Sequence, residues 1–410
     1  KTEYLTYFFF LKYGIIILIS IVSFMYNILI IILKHNILLE MKKKYLVIFM
    51  PSIEGGGVEK NLFIIANYFS SKDNNIKLIT ASKGFDQKFK NIDIIKPRLS
   101  FLKNTSRKFK YLICLFELLK LILSRKEVSV FSFQANLYCI ILCKIFKIKV
   151  IIRSNSSPTG WSKNSLKKFI FKYLLGLADK VIVNSTDFKK QFKVLFNINA
   201  KCIYNPLNRS EVLKYSKEYV ELPFYKKNKK SLKIITIGRF TDQKDHLTLL
   251  RSLNEIKNKI NFKLLIIGRG VNKYKMINYI KENDLIKNVK ILPFQNNPFK
   301  YLMISDLFIL TSKFEGLPNV LLEAAVLKKF IISTNCPTGP REILQNGKGG
   351  FLFKIGDYKS LSQKILNYHQ DKRKLKSKIN HNYKNLKRFD SYKNLQKYYT
   401  EIKKHTHKIH

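Results

Sequence analysis

Asp306-Leu-Phe-Ile-Leu-Thr-Ser-Lys-Phe-Glu-Gly-Leu-Pro-Asn-Val-Leu-Leu-Glu-Ala324 is the stretch on which the fold of this 410-residue chain turns. Asp306 to Thr311 is a short apolar run of strand type, Gly316 to Pro318 mark a tight turn, and the rest are helix formers. Pro318 suits a first helical turn, where an N–H would be unpaired anyway. The backbone N–H groups of Gly316, Leu317, Asn319 and Val320 then form an anion- and hydroxyl-binding helix terminus. Glu315 stands at its mouth and Glu323 inside it, with seven residues between them. Glu323 lies roughly 7–8 Å beyond Pro318 along the axis, at about 1.5 Å per residue. Two carboxylates so placed can grip two parts of one long polar ligand.

Outward from this stretch, short apolar strands alternate with longer helical segments from Lys44 onward, the signature of parallel α/β sheets. Tyr45 to Met50 reads as a first strand, followed by Glu54-Gly-Gly-Gly-Val-Glu-Lys60 and a helix over 61–69. A glycine loop between strand and helix lets backbone N–H groups approach a phosphate closely. This one is not GxGxxG, and a plain tight turn explains it equally well. Further strands are expected at 77–80, 128–133, 150–153 and 180–184. Tyr204-Asn-Pro-Leu207 closes a first domain with a turn-forming pair, and a polar, Lys-rich linker runs to Ser231. A second unit opens with a strand over 232–238, then Arg239-Phe-Thr-Asp-Gln-Lys-Asp245 and a helix over 246–256. Arg239 and Lys244 flank a strand-to-helix loop, where a guanidinium fork and a movable ammonium can close on a diphosphate. Only 11 residues are arginine, so one placed directly after Gly238 carries weight. Strands are expected again at 262–268, 289–294 and 330–333.

The Glu315/Glu323 pair and the G-R-x4-K spacing of Gly238, Arg239 and Lys244 resemble the family 4 glycosyltransferases, retaining enzymes of the GT-B fold. Cys336-Pro-Thr-Gly-Pro-Arg-Glu-Ile-Leu344 and Asn346-Gly-Lys-Gly-Gly-Phe351 match the C-terminal pattern of the same family. The resemblance runs from Lys42 to Lys403 and is stronger after Asn205. It implies an α/β protein of two Rossmann-like domains facing a central cleft. The expected layout is an apolar segment over 1–40, an acceptor-side domain over 41–207 and a linker over 208–230. A nucleotide-sugar domain over 231–387 and a helix over 388–404, crossing back to the first domain, complete it. The resemblance assigns the donor diphosphate to Arg239, Lys244, Gly238 and Gly56 or Gly57. It assigns the donor sugar to Glu315, the ribose to Glu323 and the nucleobase to backbone around Pro293 and Phe294.

On the acceptor side, Phe131-Ser-Phe-Gln-Ala-Asn136 and Val150-Ile-Ile-Arg-Ser-Asn-Ser-Ser-Pro158 resemble loops of transferases building surface polysaccharides. Arg153 lies just past an expected strand end, where ligand sites of open α/β sheets gather. Many family members place a histidine near the reacting sugar, whereas this chain has none between His35 and His246. Asn136, Arg153 and Asn155 are the candidates for the acceptor side.

Composition bounds the partners. The formal net charge is +49, from 76 Lys and Arg against 27 Asp and Glu. Lysine is spread along the whole length rather than gathered in a basic arm, and no nucleic-acid-binding module is present, so specific nucleic-acid recognition is not expected. A surface this basic favours an anionic membrane leaflet and a nucleotide-diphosphate substrate. Residues 106–123 and 163–175 mix lysine with large apolar residues at helical spacing, as a core face does and as a basic amphipathic helix at a membrane surface does. Five cysteines without a CxxC pair read as core thiols, with neither disulfides nor zinc. Tyr13 to Leu33 is an uncharged apolar run long enough to span a bilayer, with Lys42-Lys43-Lys44 placing the downstream chain on the cytoplasmic side. A membrane anchor and an upstream extension ahead of a start at Met41 both fit it.

The expected function is transfer of a hexose or N-acetylhexosamine from a nucleotide-diphosphate sugar, UDP first among them, to a lipid-linked saccharide at the cytoplasmic face of the membrane. No D-x-D motif is present, so neither a metal nor another cofactor is implied. The rival of nearest kind is a GT-B-type nucleotide-sugar epimerase, which would bind the same donor without an acceptor. Oligomeric state is not legible in the sequence.

Overall fold

The structure, a computed structural model, describes residues 44–73, 75–97, 106–124, 127–155, 164–226 and 231–406. The apolar 13–33 segment lies outside the described residues. Among the described residues no helix is long and apolar enough to cross a membrane.

The first half is built from β1 (Lys44–Phe49), α1 (Gly57–Ser70), β2 (Ile76–Ile79), β3 (Asp93–Ile95), α2 (Arg107–Leu123), β4 (Glu127–Ser132) and α3 (Asn136–Ile145). It continues with β5 (Lys149–Ser154), α4 (Ser165–Gly176), β6 (Lys180–Val183), α5 (Thr186–Phe196) and β7 (Lys201–Cys202). Its strands form one parallel sheet in the order β3-β2-β1-β4-β5-β6-β7. Successive side chains of a strand point to opposite faces, and the strands are apolar on both, as a sheet covered on both sides requires. Val47, Phe49, Val130 and Ile152 pack beneath α2 to α5. Ile48, Phe131, Ile151 and Ile182 pack on the other side, against α1. On α5, Phe188, Phe192 and Phe196 stack edge to face with ring centroids 5.2 and 5.4 Å apart, each pair adding about 0.5–1.5 kcal/mol beyond its buried area.

The second half comprises α6 (Arg209–Ser216), α7 (Pro223–Lys226), β8 (Leu232–Ile237), α8 (His246–Asn254), β9 (Phe262–Ile267), α9 (Lys273–Glu282), β10 (Val289–Leu292), α10 (Phe299–Met303) and β11 (Leu307–Leu310). It ends with α11 (Asn319–Val326), β12 (Phe330–Thr334), α12 (Pro340–Ile343), β13 (Phe351–Phe353), α13 (Tyr358–Gln370), α14 (Lys376–Asn385) and α15 (Ser391–Thr406). The second sheet is also parallel, in the order β10-β9-β8-β11-β12-β13. The segment expected to be a polar linker is helical instead. Val212 of α6 and Leu222 and Tyr225 around α7 are buried in the core of the second domain, packed with Ile235 and Phe308. The last helix, α15, returns to the first sheet, where Leu395, Tyr398 and Ile402 join the core beneath α1.

Candidate donor and acceptor site

Each sheet reverses its strand order once, between β1 and β4 and between β8 and β11. In open parallel sheets the crevice at such a switch point, beyond the carboxyl ends of the strands, is where ligands bind. The glycine loop follows β1, the Arg239–Asp245 loop follows β8, and Glu315 follows β11. Three stretches singled out for their chemistry thus fall at the two switch points.

On the second domain these loops are stitched together. Lys313 N donates to Gln243 O at 2.8 Å, Gln243 Nε2 to Phe314 O at 2.8 Å, and Thr311 Oγ1 to Lys244 O at 2.8 Å. Phe240 N bonds Arg269 O at 2.8 Å, tying in the loop after β9. This crossing needs glycine: a Cβ on Gly268 would sit 1.9 Å from Gly238 O. Within this frame Lys244 Nζ lies 2.5 Å from Glu315 Oε1, both side chains largely buried. Arg239 is exposed, with one guanidinium nitrogen 3.3 Å from Gln243 Oε1. The pair therefore divides into a buried cation inside the site and an exposed one at its rim. Pro318 takes the residue before α11, so the helix begins at Asn319 rather than inside the Gly-Leu-Pro turn.

The two domains touch at this point. Asn319 Nδ2 donates to Gly57 O at 3.1 Å, and Asn205 Nδ2 donates to Leu317 O at 2.9 Å. Lys60 Nζ of α1 pairs with Glu323 Oε1 at 2.9 Å. A Cβ on Gly316 would stand 2.4 Å from Asn155 O, so the backbone itself carries the contact. At the outer rim Arg269 donates to Glu54 O and lies over the Phe294 ring, 4.9 Å from its centroid. Phe294 is 44% exposed, and Pro293 is exposed beside it. Glu54 also pairs with Arg107, whose hydrogen bonds hold the Glu54 carboxyl below its ordinary pKa.

Lys60, Arg107 and Arg269 were not singled out from sequence. The scarcity of arginine that marked Arg239 marks Arg269 and Arg107 as well, since each stands at a loop-to-element junction. Nothing in the sequence distinguishes Lys60 among so many lysines.

Of the acceptor-side candidates, Arg153 is the one the structure turns inward. Arg153 is fully buried, its guanidinium donating to Tyr398 Oη at 2.9 Å, Asn205 Oδ1 at 2.6 Å and Asn155 Oδ1. It braces β5 against α15 and the crossover at Asn205 and presents nothing to a substrate. Asn136 is likewise engaged, donating from Nδ2 to Arg153 O at 3.1 Å and accepting from Ser132 Oγ at 2.9 Å. Asn155 donates to Phe133 O at 2.8 Å. His246 does not replace the missing first-domain histidine. It is buried at the start of α8 against Phe240, and desolvation, with the Lys244 charge, lowers its pKa to about 3. All five cysteines are free, and burial pushes Cys114, Cys202 and Cys336 up to about 12.

Two parallel sheets, with cations and carboxylates set at their switch points, have the architecture of the GT-B fold. Residues 221–386 match the family model Glycosyl transferases group 1. An uncharacterized glycosyltransferase of Methanocaldococcus jannaschii is 37% identical over 254 residues, 58% of this chain and 62% of that protein. The aligned region thus spans less than two thirds of that relative's own length. The N-acetylgalactosamine-N,N'-diacetylbacillosaminyl-diphospho-undecaprenol 4-alpha-N-acetylgalactosaminyltransferase of Campylobacter jejuni is 27% identical over 62% of this chain and 70% of its own length. Among solved structures, Anabaena HepE in complex with UDP-glucose superposes with a TM-score of 0.71 at 17% identity, over 88% of this chain and 99% of that one. That similarity shows the fold.

Proposed function

We propose that the chain transfers a hexose or N-acetylhexosamine from a nucleotide-diphosphate sugar to a lipid-linked saccharide in surface-polysaccharide synthesis, with retention of anomeric configuration. The observation that carries this reading is the Lys244–Glu315 pair with Arg239 beside it, facing the glycine loop across the cleft. When the anomeric C–O bond breaks, its electron pair goes to the diphosphate oxygen and positive character develops on the sugar. Lys244, Arg239 and the N–H groups opening α1 and α11 would take up the first charge, already oriented and partly out of water. Glu315 would hold sugar hydroxyls and Glu323 a ribose hydroxyl. The acceptor hydroxyl attacks from the face the diphosphate leaves, and its proton passes to that departing oxygen. With two cations at the diphosphate, the reaction needs no divalent metal.

UDP is favoured as the carrier because HepE is crystallised with UDP-glucose. A lipid-linked acceptor is favoured by the diphospho-undecaprenol in the name of the Campylobacter relative. The surface of the first domain supports a membrane-held acceptor. Phe109, Leu112 and Phe116 of α2 and Leu166, Phe169 and Tyr173 of α4 are exposed, with Lys108, Lys168 and Lys172 among them. Apolar rings beside lysines suit the headgroup region of an anionic leaflet, which supports a location at the cytoplasmic face.

The direct test incubates purified protein with a panel of nucleotide sugars and measures slow hydrolysis, with and without excess chelator. Hydrolysis of one nucleotide's sugars, within about twofold in the two conditions, is expected where cations of the protein replace a metal. Hydrolysis of none overturns the donor reading, and recovery only with Mg²⁺ or Mn²⁺ overturns the metal-free one.

A further inference from the structure

Among the ionic contacts between the domains, Lys60 to Glu323 joins a residue one turn into α1 to the carboxylate that the proposed function gives to the donor ribose. The Lys60 ammonium is 2.9 Å from Glu323 Oε1 and lies over the Phe299 ring at 4.7 Å from its centroid. Burial works to lower the Lys60 pKa, but the charge of Glu323 and its hydrogen bond outweigh it, so the ammonium stays protonated. Beside the pair, Asn319 Nδ2 holds Gly57 O, and Asn205 Nδ2 holds Asn319 Oδ1 at 2.6 Å. Lys60 therefore anchors the helix that the glycine loop opens, and the anchor point is inside the donor site of the other domain.

We propose that Lys60 is a positioning residue that couples occupancy of the donor site to closure of the glycine loop over it. A carboxylate accepts through both oxygens, so Glu323 can keep Lys60 on one and take a ribose hydroxyl on the other. Each contact fixes the rotamer of Glu323 for the other. A bound nucleotide thus strengthens the tie between domains, and the tie in turn sets the first-turn N–H groups of α1 against the diphosphate. Lys60 itself touches no reacting atom. Phe299 serves as its seat: a ring face attracts a cation and keeps it from swinging to water.

The inference rests on the donor reading above, and its test separates the two. Lys60→Met, Lys60→Arg, Glu323→Gln and the double variant Lys60→Met/Glu323→Gln are compared with wild type. The readouts are UDP binding, kcat and KM for donor hydrolysis, and radius of gyration by small-angle scattering with and without UDP. Lys60→Met should lower kcat/KM roughly tenfold with part of the loss in kcat, and the double variant should be no worse than the poorer single one, as coupled residues are. Lys60→Arg should recover most of the loss. UDP should compact wild type more than Lys60→Met. Wild-type kinetics in Lys60→Met, or strictly additive losses in the double variant, overturn the coupling. If wild type binds no nucleotide, the donor reading fails. Scattering then decides the tie alone: an unchanged radius of gyration in Lys60→Met overturns it, and an increase supports it.

Discussion

Arg239 and Lys244 bring two cations to one place by different means, and their variants should separate accordingly. Arg239 is exposed and hydrogen-bonds Gln243. Arg239→Ala should raise the transfer barrier by on the order of 2–4 kcal/mol, as loss of a preorganised donor does, with the unfolding midpoint unchanged. Lys244→Ala should cost activity similarly but also stability, because Glu315 is left buried without its partner. Wild-type turnover in both, at saturating and limiting donor, would remove the diphosphate clamp. Arg153 is the contrasting case, an arginine at a strand end whose guanidinium is spent on the fold. Arg153→Met strands the Asn205 and Asn155 carbonyls and should destabilise by about 2–4 kcal/mol in urea unfolding. A variant of normal stability that cannot transfer would restore Arg153 to the acceptor side.

At the scale of the element, α8 shows how a site loop is fixed from below. Asp245 enters the left-handed region at φ 47°, and the chain turns at once into the helix with His246 buried beneath the loop. A charged imidazole would be desolvated there and would face Lys244, which is why its pKa falls to about 3. The unfolded chain binds this proton below its ordinary pKa of 6.5, whereas the folded protein refuses it until about 3. Stability from this group is therefore complete above pH 6.5 and declines as pH falls toward 3, by up to about 1.4 kcal/mol per pH unit. Unfolding followed between pH 7 and 4.5 should show this slope, and His246→Gln should flatten it. An equal slope in both proteins would assign the acid sensitivity elsewhere.

Over the whole molecule, closure is written into several contacts. Glu342 of α12 accepts the Thr186 N–H at 2.9 Å and the Tyr204 hydroxyl at 2.6 Å, so a carboxylate of the second domain caps a helix of the first. Arg341 pairs with Asp187 at 3.3 Å beside it. The returning α15 adds Lys180 to Glu401 at 3.5 Å. The exposed rings and lysines of α2 and α4 lie on the helical layer opposite α15, on the other face of the first sheet. Protein beginning at Met41 should bind anionic vesicles, since each basic residue near the surface contributes about 1 kcal/mol. High salt should release it, because the attraction is screened, and a lipid-linked acceptor in those vesicles should be glycosylated. If it ignores anionic vesicles and prefers a soluble acceptor, the membrane surface plays no part.

The sequence alone determined the alternation of strands and helices, the two parallel sheets and the loops that fall at their switch points. These are local: apolar runs of strand length, glycine and proline at turns, and rare arginines at strand ends act within a dozen residues of themselves. The edge strands Asp93–Ile95, Lys201–Cys202 and Phe351–Phe353 escaped because two or three residues carry no periodicity. The helix at 209–216 read as linker because its charged residues outnumber the few side chains it buries, and the one at 223–226 because four residues carry no periodicity. Only the tertiary structure decided that Arg153 is a brace and Lys60 a partner of Glu323, separated by 263 positions in the chain. Which cation is buried and which carboxylate it meets depends on how the two sheets are brought together, and no spacing along the chain encodes that distance.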